Sequence, residues 1–302
     1  MTEKNLPAVA LIGFGEAGQA LAEGLRGEGV ARIAAWDILF PDAAKGAPLR
    51  AAADRLGVRI AASNADALPG AVVVISAVTA SSNLEAAREA ANSLAPDQFY
   101  LDVNSVSPNR KRDAARVIGD RARFVDVAVM APVLPLMHKT PMLLAGAHAA
   151  DLLRVMQGCG MSVQVAGAQV GEASAMKMVR SVMIKGLEAL SQECFLAARA
   201  AGIEERIIAS LTQSFPALDW AKIADYNLER MASHGIRRAA EMREVAATLE
   251  ELGVEPLMTR GTVERQQRTG DARLKDAFGG KVLQDRHAIM QALKRAAGDR
   301  RV

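Results

Sequence analysis

The chain has 302 residues, of which 50% are hydrophobic and 4% aromatic, and its formal net charge is +3. This length accommodates two domains with a sizeable core, whereas a small charge with Lys and Arg interspersed among Asp and Glu is not typical of a nucleic-acid-binding protein. Because the sequence lacks both a run of about eighteen apolar residues and the core of a signal peptide, we expect a cytoplasmic protein that does not bind a membrane.

The first apolar run, Val9–Ile12, leads directly into three glycines with G-x-G-x-x-G spacing. This pattern is typical of a strand that turns into a helix beneath a dinucleotide pyrophosphate: the first glycine permits the turn, the second admits the phosphates and the third lets the helix pack on the strand. The amides at the start of the helix then face the anion. We expect the cofactor to contact Gly13, Phe14, Gly15, Glu16, Ala17 and Gly18.

The second apolar run, 32–36, is followed by Asp37, about twenty residues beyond Gly18. An acidic side chain at this place accepts hydrogen bonds from a ribose 2′-hydroxyl and repels a 2′-phosphate. The sequence therefore predicts NAD rather than NADP as the cofactor, with a solvated Asp37 as the alternative interpretation.

Up to about residue 170, short β-rich runs alternate with helical stretches. The runs lie at 9–12, 32–36, 71–78, 99–103, 124–129, 141–145 and 162–166, with helical periodicity at 82–94 and 109–118. Alternation of this kind indicates βαβ crossovers and a mostly parallel sheet. We therefore predict an α/β, Rossmann-type domain over residues 1–170.

From Gly171 onward the strand signals disappear. Residues 171–200 predict one long buried helix. Further helices are predicted at 204–211, 217–232, 236–252, 256–268 and 282–297, separated by Pro216, Gly235, Gly253 and Gly270. The pattern predicts an all-α domain over residues 171–302, which we expect to serve substrate binding and dimerisation.

Two segments that follow predicted strands are candidates for the nicotinamide site, because ligands of open α/β sheets lie beyond the carboxyl ends of the strands. One comprises Ala77, Val78 and Thr79, and the other comprises Asn104 and Ser105. Their backbone, amide and hydroxyl groups could fix the nicotinamide and the substrate, although each segment is also an ordinary turn.

Lys177 lies among apolar residues on the long helix, with Ser181 one turn further. A lysine in this setting either reaches out to solvent or lines a cleft. In hydride-transfer chemistry an ammonium donates a proton to the carbonyl oxygen being reduced, and the neutral amine takes the proton of the alcohol. Spacing alone leaves both a catalytic and a surface lysine open.

The histidines and cysteines do not have the spacing of a metal site or a disulfide. His138 follows a proline-containing run and could lie on a loop over the site. His234 forms a cationic cluster with Arg237 and Arg238 that could bind a substrate carboxylate, although a solvated turn explains it better.

These motifs resemble those of the β-hydroxyacid dehydrogenase family, which includes 3-hydroxyisobutyrate dehydrogenase and the 6-phosphogluconate dehydrogenases. The glycine segment 13–18 looks like the family's cofactor fingerprint, residues 101–108 resemble its D-x-S-[ST]-x-x-P segment, and 171–177 has the spacing of its G-x-G-x-x-x-K helix start. The resemblance implies an NAD-dependent oxidoreductase that acts on a β-hydroxy acid or a related small hydroxy-carbonyl compound. It also implies that Lys177 is the acid/base and that the protein is a homodimer from a divergent branch with a distinct helical C-terminal domain.

Three departures from the family pattern concern the substrate and the cofactor. Arg243 replaces the lysine of a late Lys-Asp pair near the cofactor, so only a binding role carries over. Arg180 and Ser181 replace an asparagine, which makes Ser181 a candidate substrate contact. The family's Ser-Gly-Gly segment aligns with Met130, Ala131 and Pro132, which favours an apolar or larger substrate.

Two alternative functions remain compatible with the sequence. An imine reductase uses the same architecture and often has an apolar pocket, although the retained lysine and Asp37 argue mildly against it. A dinucleotide-binding protein without catalytic activity is the other alternative, because the family's asparagine and Ser-Gly-Gly elements are missing.

Overall fold

A computed structural model describes residues 6–282 and 284–298. The chain divides into two compact units between Lys177 and Met178. The first unit contains strands β1 (Val9–Ile12), β2 (Ile33–Trp36), β3 (Arg59–Ile60), β4 (Val73–Ser76), β5 (Phe99–Asp102), β6 (Arg123–Val129), β7 (Met142–Ala145) and β8 (Val163–Gly167). Its helices are α1 (Glu16–Gly27), α2 (Ala47–Leu56), α3 (Asn64–Ala67), α4 (Asn83–Ala91), α5 (Pro108–Ile118) and α6 (Ala149–Gly158).

The strands form one sheet in the order β3-β2-β1-β4-β5-β6-β7-β8. Neighbouring strands are parallel, except that β6 and β7 are antiparallel. The predicted mostly parallel sheet is therefore confirmed. The strand order changes direction at β1, which lies between β2 and β4, and ligands of such sheets bind at this switch point.

Both faces of the sheet are buried, which explains why its strands are apolar almost throughout. Along β1, Val9 and Leu11 belong to one hydrophobic core, whereas Ala10 and Ile12 belong to a second core on the opposite face. Alanines of α4 pack into this second core, and their small side chains bring the helix close to the sheet. Strands β1 to β6 are parallel, so their carboxyl ends lie at the same edge of the sheet.

The described residues after the division are helical. The helices of this region are α7 (Glu172–Ala200), which extends across the division, α8 (Glu204–Ser214), α9 (Trp220–Glu251), α10 (Leu257–Asp271), α11 (Leu274–Ala277) and α12 (Arg286–Ala297). The helical character expected of the C-terminal half is thus confirmed. Among the described residues, no helix combines the length and apolar character needed to cross a bilayer.

The predicted break at Gly235 is wrong, because α9 continues through this residue. A Cβ on Gly235 would lie 2.6 Å from the carbonyl oxygen of Gln266, and one on Gly270 would lie 2.5 Å from the amide nitrogen of Ile236. The two glycines therefore permit the close approach of α9 and α10 rather than ending a helix. Gly270 likewise lies inside α10.

The last helix begins later than the predicted start at residue 282. The Asp285 carboxylate accepts hydrogen bonds from the amides of His287 and Ala288, so α12 starts at Arg286. Acidic N-caps stabilise this boundary because the first amides of a helix have no partner within it.

Candidate active site

The glycine turn between β1 and α1 has the form expected of a dinucleotide cradle. Gly13 has a φ of 93°, and a Cβ there would lie 2.4 Å from the carbonyl oxygen of Ala77. A Cβ on Gly18 would lie 2.4 Å from the carbonyl oxygen of Gly13, so packing within the unit requires both glycines. A Cβ on Gly15, in contrast, would meet no heavy atom within 4 Å.

The space beside Gly15 is where a pyrophosphate would approach the chain. Gly15 is the N-cap of α1, and no side chain caps its first amides. Glu16 is exposed and Ala17 half-buried at the same end of the helix. Free amides at the positive end of a helix dipole bind phosphate groups, so the cradle fits the diphosphate of a dinucleotide.

Asp37 lies beside this turn at the end of β2. The amide of Phe14 donates to Asp37 Oδ2 at 2.7 Å, and the amide of Leu39 donates to Oδ1 at 2.8 Å. The Phe14 ring is buried and packs against Phe40, with ring centroids 5.9 Å apart. Phe14 therefore contributes packing, while the Asp37 carboxylate retains further lone pairs for ribose hydroxyls.

Arg50 lies near the loop after Asp37. Its guanidinium donates to the carbonyl oxygens of Phe40, Asp42 and Ala43, the last two at 3.0 and 3.3 Å. The arginine thus braces the loop, and its donors are engaged by the backbone.

Strands β1, β4 and β5 end at positions that are in register, so the segments that follow them begin side by side. Ile12 is in register with Ser76, and Ser76 is in register with Asp102. The Asn104 side chain links the two later segments, because its Oδ1 accepts from the amide of Val78 at 2.7 Å and its Nδ2 donates to Ser76 Oγ at 3.1 Å.

Asn104 is buried, and its Nδ2 also donates to Asp102 Oδ1 at 2.7 Å. Both polar atoms of this amide bind the protein, and its contact with the nicotinamide stays a prediction. The side-chain geometry fixes the backbone of Val78. Thr79 follows as an exposed residue, with its Oγ1 3.0 Å from the hydroxyl oxygens of both Ser81 and Ser82.

Lys177 reaches the same edge of the sheet. Its Nζ donates a hydrogen bond to Ser105 Oγ at 2.5 Å, and both residues are half-buried. Met130 and Ala131 follow β6 as half-buried residues, and Pro132 is exposed. The structure thus places the predicted residues that follow β1, β2, β4, β5 and β6 at one edge of the sheet, where Lys177 contacts Ser105.

Sequence reasoning missed a buried ionic cluster beneath this edge. It consists of Asp102, Lys111 and Asp126, whose side chains are fully buried. The sequence contained a signal for it, because Lys111 shares the buried face of α5 with Ala114 and Ile118 at helical spacing.

The other predicted site residues lie in the second unit. Ser181 is buried on α7, and Lys185 Nζ donates to its Oγ at 3.4 Å. Arg243 lies on α9, where its guanidinium donates to Gln267 Oε1 at 2.9 Å.

His234 lies within α9 rather than in the solvated turn that the sequence favoured. Arg237 and Arg238 do not form a free cationic cluster with it. Arg237 Nη1 donates to Glu241 Oε1 at 2.8 Å, and the buried Arg238 donates through Nε to Glu188 Oε2 at 2.8 Å.

Positive charge surrounds the imidazole of His234. Burial and the neighbouring cations lower the pKa of His234 to about 4; these cations are Arg230, Arg237, Arg238 and Lys275. Because a lowered pKa disfavours the protonated form, His234 is neutral near pH 7. A carboxylate bound here would interact with the charged arginine or lysine side chains and with a neutral imidazole.

His138 does not cover the site, contrary to the expectation from sequence. It is buried against the C-terminal half of α1, where its Nε2 lies 3.2 Å from Glu28 Oε1. Gly24 makes room for it, since a Cβ there would collide with the imidazole. This contact lies roughly 15 Å along α1 from Gly15, given the helical rise per residue.

Three side chains of the second unit offer the ligand types of a metal site. Oxygen or nitrogen atoms of Glu204, Glu205 and His287 lie within 4.8 Å of one another. Arg286 Nε donates to Glu204 Oε1 at 2.8 Å, and Arg199 Nη1 lies 3.3 Å from His287 Nδ1. Arginine guanidinium groups therefore contact the atoms that would bind a metal. The cluster is an ion-pair network.

Two family models match the chain. The model described as "NADP oxidoreductase coenzyme F420-dependent" matches residues 8–105, which include the glycine turn. The model described as "Domain of unknown function (DUF1932)" matches residues 198–269, within the helical unit. The combination corresponds to a dinucleotide fold followed by a distinct helical domain.

Relatives of similar length extend this result over most of the chain. An uncharacterized 28.5 kDa protein of Methanothermus fervidus is 30% identical over 213 residues, 70% of this chain and 80% of that protein. The crystal structure of a conserved hypothetical protein from Sinorhizobium meliloti is 39% identical and covers 97% of this chain and 98% of its own, with a TM-score of 0.76.

The structure of conserved protein MTH1747 is 32% identical, covers 89% of this chain and 98% of its own, and has a TM-score of 0.70. That protein was described as structurally similar to 3-hydroxyacid dehydrogenases. The chain belongs to the 3-hydroxyacid dehydrogenase-like family. The family resemblance inferred from the sequence is thus confirmed, including the helical C-terminal domain that marks this branch of oxidoreductases.

More distant structures share the fold of this family member. The 3-hydroxyisobutyrate dehydrogenase of Mycobacterium tuberculosis is 16% identical over 96% of this chain and 99% of its own, with a TM-score of 0.71. A reductive aminase of Aspergillus terreus in complex with NADPH is 19% identical over 96% of this chain and 99% of its own, with a TM-score of 0.56. The family member therefore has an NAD(P)-binding oxidoreductase fold.

Proposed function

We propose that the protein is an NAD-dependent dehydrogenase or reductase that transfers a hydride between the nicotinamide and a β-hydroxy acid or related hydroxy-carbonyl compound. The observation that carries the proposal is the hydrogen bond from Lys177 Nζ to Ser105 Oγ, 2.5 Å long, at the sheet edge where the glycine turn opens. An ammonium at the carboxyl ends of the strands lies where open α/β sheets bind their ligands.

The first unit supplies the groups that would hold NAD. The amides of Gly15, Glu16 and Ala17 would bind the pyrophosphate, Asp37 the ribose, and the backbone of residues 77–79 the nicotinamide end. Arg243 of the second unit is a further proposed contact, by analogy with the family's late cation. When bound, NAD supplies the centre that accepts or donates the hydride.

Lys177 would manage the proton of the reaction. In the reductive direction its ammonium donates a proton to the substrate oxygen and stabilises the developing negative charge, and in the oxidative direction the neutral amine takes the proton of the alcohol. The Ser105 hydroxyl, having accepted a bond from Lys177, still has its own proton to donate to the substrate. Substrate contacts are further proposed for Met130, Ala131, Pro132, Ser181 and His234.

A panel of β-hydroxy acids, alcohols, aldehydes and cyclic imines tests this proposal, with nicotinamide absorbance as the readout. We expect turnover of at least one β-hydroxy acid with NAD⁺, at a kcat of about 1–10³ s⁻¹. Activity confined to imines would identify an imine reductase and refute the proposal. Tight NADH binding with no turnover across the panel would instead indicate a dinucleotide-binding protein without catalytic activity.

The preference for NAD is expected to depend on the charge of Asp37. We predict that the protein binds NADH at least about tenfold more tightly than NADPH and that Asp37→Asn narrows the gap, because the amide no longer repels a 2′-phosphate. The asparagine oxygen can still accept the Phe14 amide, so the glycine turn keeps its brace. Fluorescence titration with both dinucleotides measures the ratio, and tighter NADPH binding by the unaltered protein would contradict the prediction.

We further propose that the protein is a homodimer that buries an apolar stripe of α7. The stripe is defined by Val179, Met183, Leu187 and Leu190, which recur every three or four residues and are 48%, 64%, 43% and 53% exposed. Contiguous exposed apolar side chains on a helix mark protein interfaces, and a twofold axis would pair the stripe with its copy.

Met183→Glu is predicted to convert the dimer into a monomer, because a carboxylate at the centre of the stripe would lose its solvation on association. Light scattering after size-exclusion chromatography gives the mass, and Met183→Leu serves as the apolar control that stays dimeric. A monomeric unaltered protein, or a Met183→Glu variant with the mass of the dimer, would refute this interface.

A further inference from the structure

Two buried carboxylates lie side by side on adjacent strands below the site. Asp102 of β5 is in register with Asp126 of β6, and the strands are parallel, so both side chains point to the same face of the sheet. Both are 0% exposed. Neighbouring strands are about 4.8 Å apart, and two ionised carboxylates at that spacing repel each other strongly away from water.

Lys111 lies between these carboxylates and is also 0% exposed. Its Nζ donates to Asp102 Oδ1 at 3.0 Å and to the backbone oxygen of Asp102, and lies 3.5 Å from Asp126 Oδ1. The carbonyl oxygen of Val127 is a further acceptor at 3.4 Å. The ammonium thus forms hydrogen bonds to Asp102 and to the backbone of β6, and an ion pair with Asp126, whose Oδ1 has no hydrogen-bond partner among the described residues.

The same two carboxylates also hold the two segments that form the Lys177–Ser105 contact. Asp102 Oδ1 accepts from the amide of Asn104 at 3.0 Å, which fixes the chain just before Ser105. Asp126 Oδ2 accepts from the amides of Gly171 and Ser174 at 3.0 and 3.1 Å, and from Ser174 Oγ at 3.2 Å. These groups form the first turn of α7, and Lys177 follows Ser174 by three residues.

We propose that Lys111 is a positioning residue that fixes Lys177 and Ser105 relative to each other. It links Asp126 of β6, which accepts hydrogen bonds from the first turn of α7, to Asp102 at the end of β5. Lys111 does not touch the reacting atoms. The importance of this link for catalysis rests on the proposed function. The link itself concerns only the relative position of Ser105 and the first turn of α7. A buried pair that loses one partner leaves an uncompensated charge, so the link is sensitive to removal of the ammonium.

Competitive acetylation with acetic anhydride, followed by mass spectrometry of the Lys177 peptide, tests the link without an activity assay. In Lys111→Met we expect the acetylation rate of Lys177 to rise by about threefold or more, because the amine loses its hydrogen bond to Ser105. Lys222, an exposed lysine of α9, serves as the internal standard whose rate does not change. Arg116→Met, an exposed change on α5, is the matched control variant and leaves the rate of Lys177 unaltered.

Lys111→Met leaves two buried carboxylates without their cation, so Lys111→Met/Asp126→Asn provides a variant with less buried charge should the single variant fail to fold. Its remaining carboxylate, on Asp102, keeps donors from Asn83 and Asn104. Circular dichroism and NADH titration establish which variants are folded. A folded variant in which Lys177 is acetylated at the rate of the unaltered protein overturns the proposal.

Kinetics on the same variants separate this inference from the proposed function. If Lys111 positions Lys177 and Lys177 protonates the substrate, loss of Lys111 lowers kcat by about tenfold or more while NADH affinity is retained, because small displacements of an acid/base are costly. If acetylation changes while kcat does not, the link stands and the catalytic role of Lys177 fails. If Lys177→Ala abolishes turnover but acetylation is unaffected by loss of Lys111, the function stands and the link is refuted.

Discussion

Replacing Lys177 with alanine is expected to lower kcat by about 10²- to 10⁴-fold, the usual contribution of a general acid or base. The dissociation constant for NADH should stay within about threefold of its original value, because the amides of the glycine turn, not the ammonium, hold the dinucleotide. Steady-state kinetics on the best hydroxy acid of the panel and fluorescence titration with NADH measure the two quantities on one preparation.

Two control variants sharpen this experiment. Lys177→Arg keeps a cation but cannot release its proton, so we expect it to be nearly as inactive as the alanine variant. Lys222→Ala removes an exposed lysine of α9 and should leave kcat unchanged. A Lys177→Ala protein that retains kcat within about threefold would remove this lysine from the chemistry.

Gly15→Val is expected to weaken NADH binding by about 100-fold while the protein remains folded. A Cβ at this position would meet no heavy atom within 4 Å, so we expect the valine side chain to project into the space that we assign to the pyrophosphate. The predicted loss corresponds to about 2.7 kcal/mol of binding free energy. Thermal unfolding should shift by no more than about 3 °C, since the backbone of Gly15 is compatible with any L residue.

The neighbouring glycines provide the comparison for this result. Gly27→Ala, at the other end of α1, also places a Cβ in open space and should leave NADH affinity unchanged, with a gain in stability of no more than about 1 kcal/mol. Gly13→Ala should instead destabilise the fold by about 1–3 kcal/mol, because of its positive φ and the contact with the Ala77 carbonyl. If Gly15→Val binds NADH as tightly as the unaltered protein, the pyrophosphate does not lie beside this residue.

The fold could be predicted from the sequence where a pattern is long or stands next to a recognisable motif. The apolar run Val9–Ile12 predicted a strand, because buried parallel strands are short continuous apolar runs, and the glycines that follow it predicted the turn. β3 was missed, since a strand of two residues at the sheet edge carries no period. Gly235 misled the prediction because a glycine that ends a helix and a glycine at a helix crossing look identical until the second helix is in place.

The candidate site, likewise, has parts that could be predicted from the sequence and parts that could not. Gly13, Gly15 and Asp37 are close in sequence or at a known separation, so their proximity was predictable. The contact of Lys177 with Ser105 joins residues 72 positions apart; the sequence identified the two residues separately but did not predict their contact. The ionic cluster around Lys111 depends on the register of β5 and β6, which a sequence pattern does not specify.

A crystal structure with NAD⁺ and a hydroxy acid tests the central claim most directly, through the distance from Lys177 Nζ to the substrate oxygen. We predict a diphosphate over the amides that follow Gly13 and a Lys177 Nζ to substrate-oxygen distance of about 2.6–3.2 Å, which is hydrogen-bond reach. A dinucleotide bound elsewhere, or a substrate oxygen beyond about 6 Å from this amine with no water between them, would contradict the account.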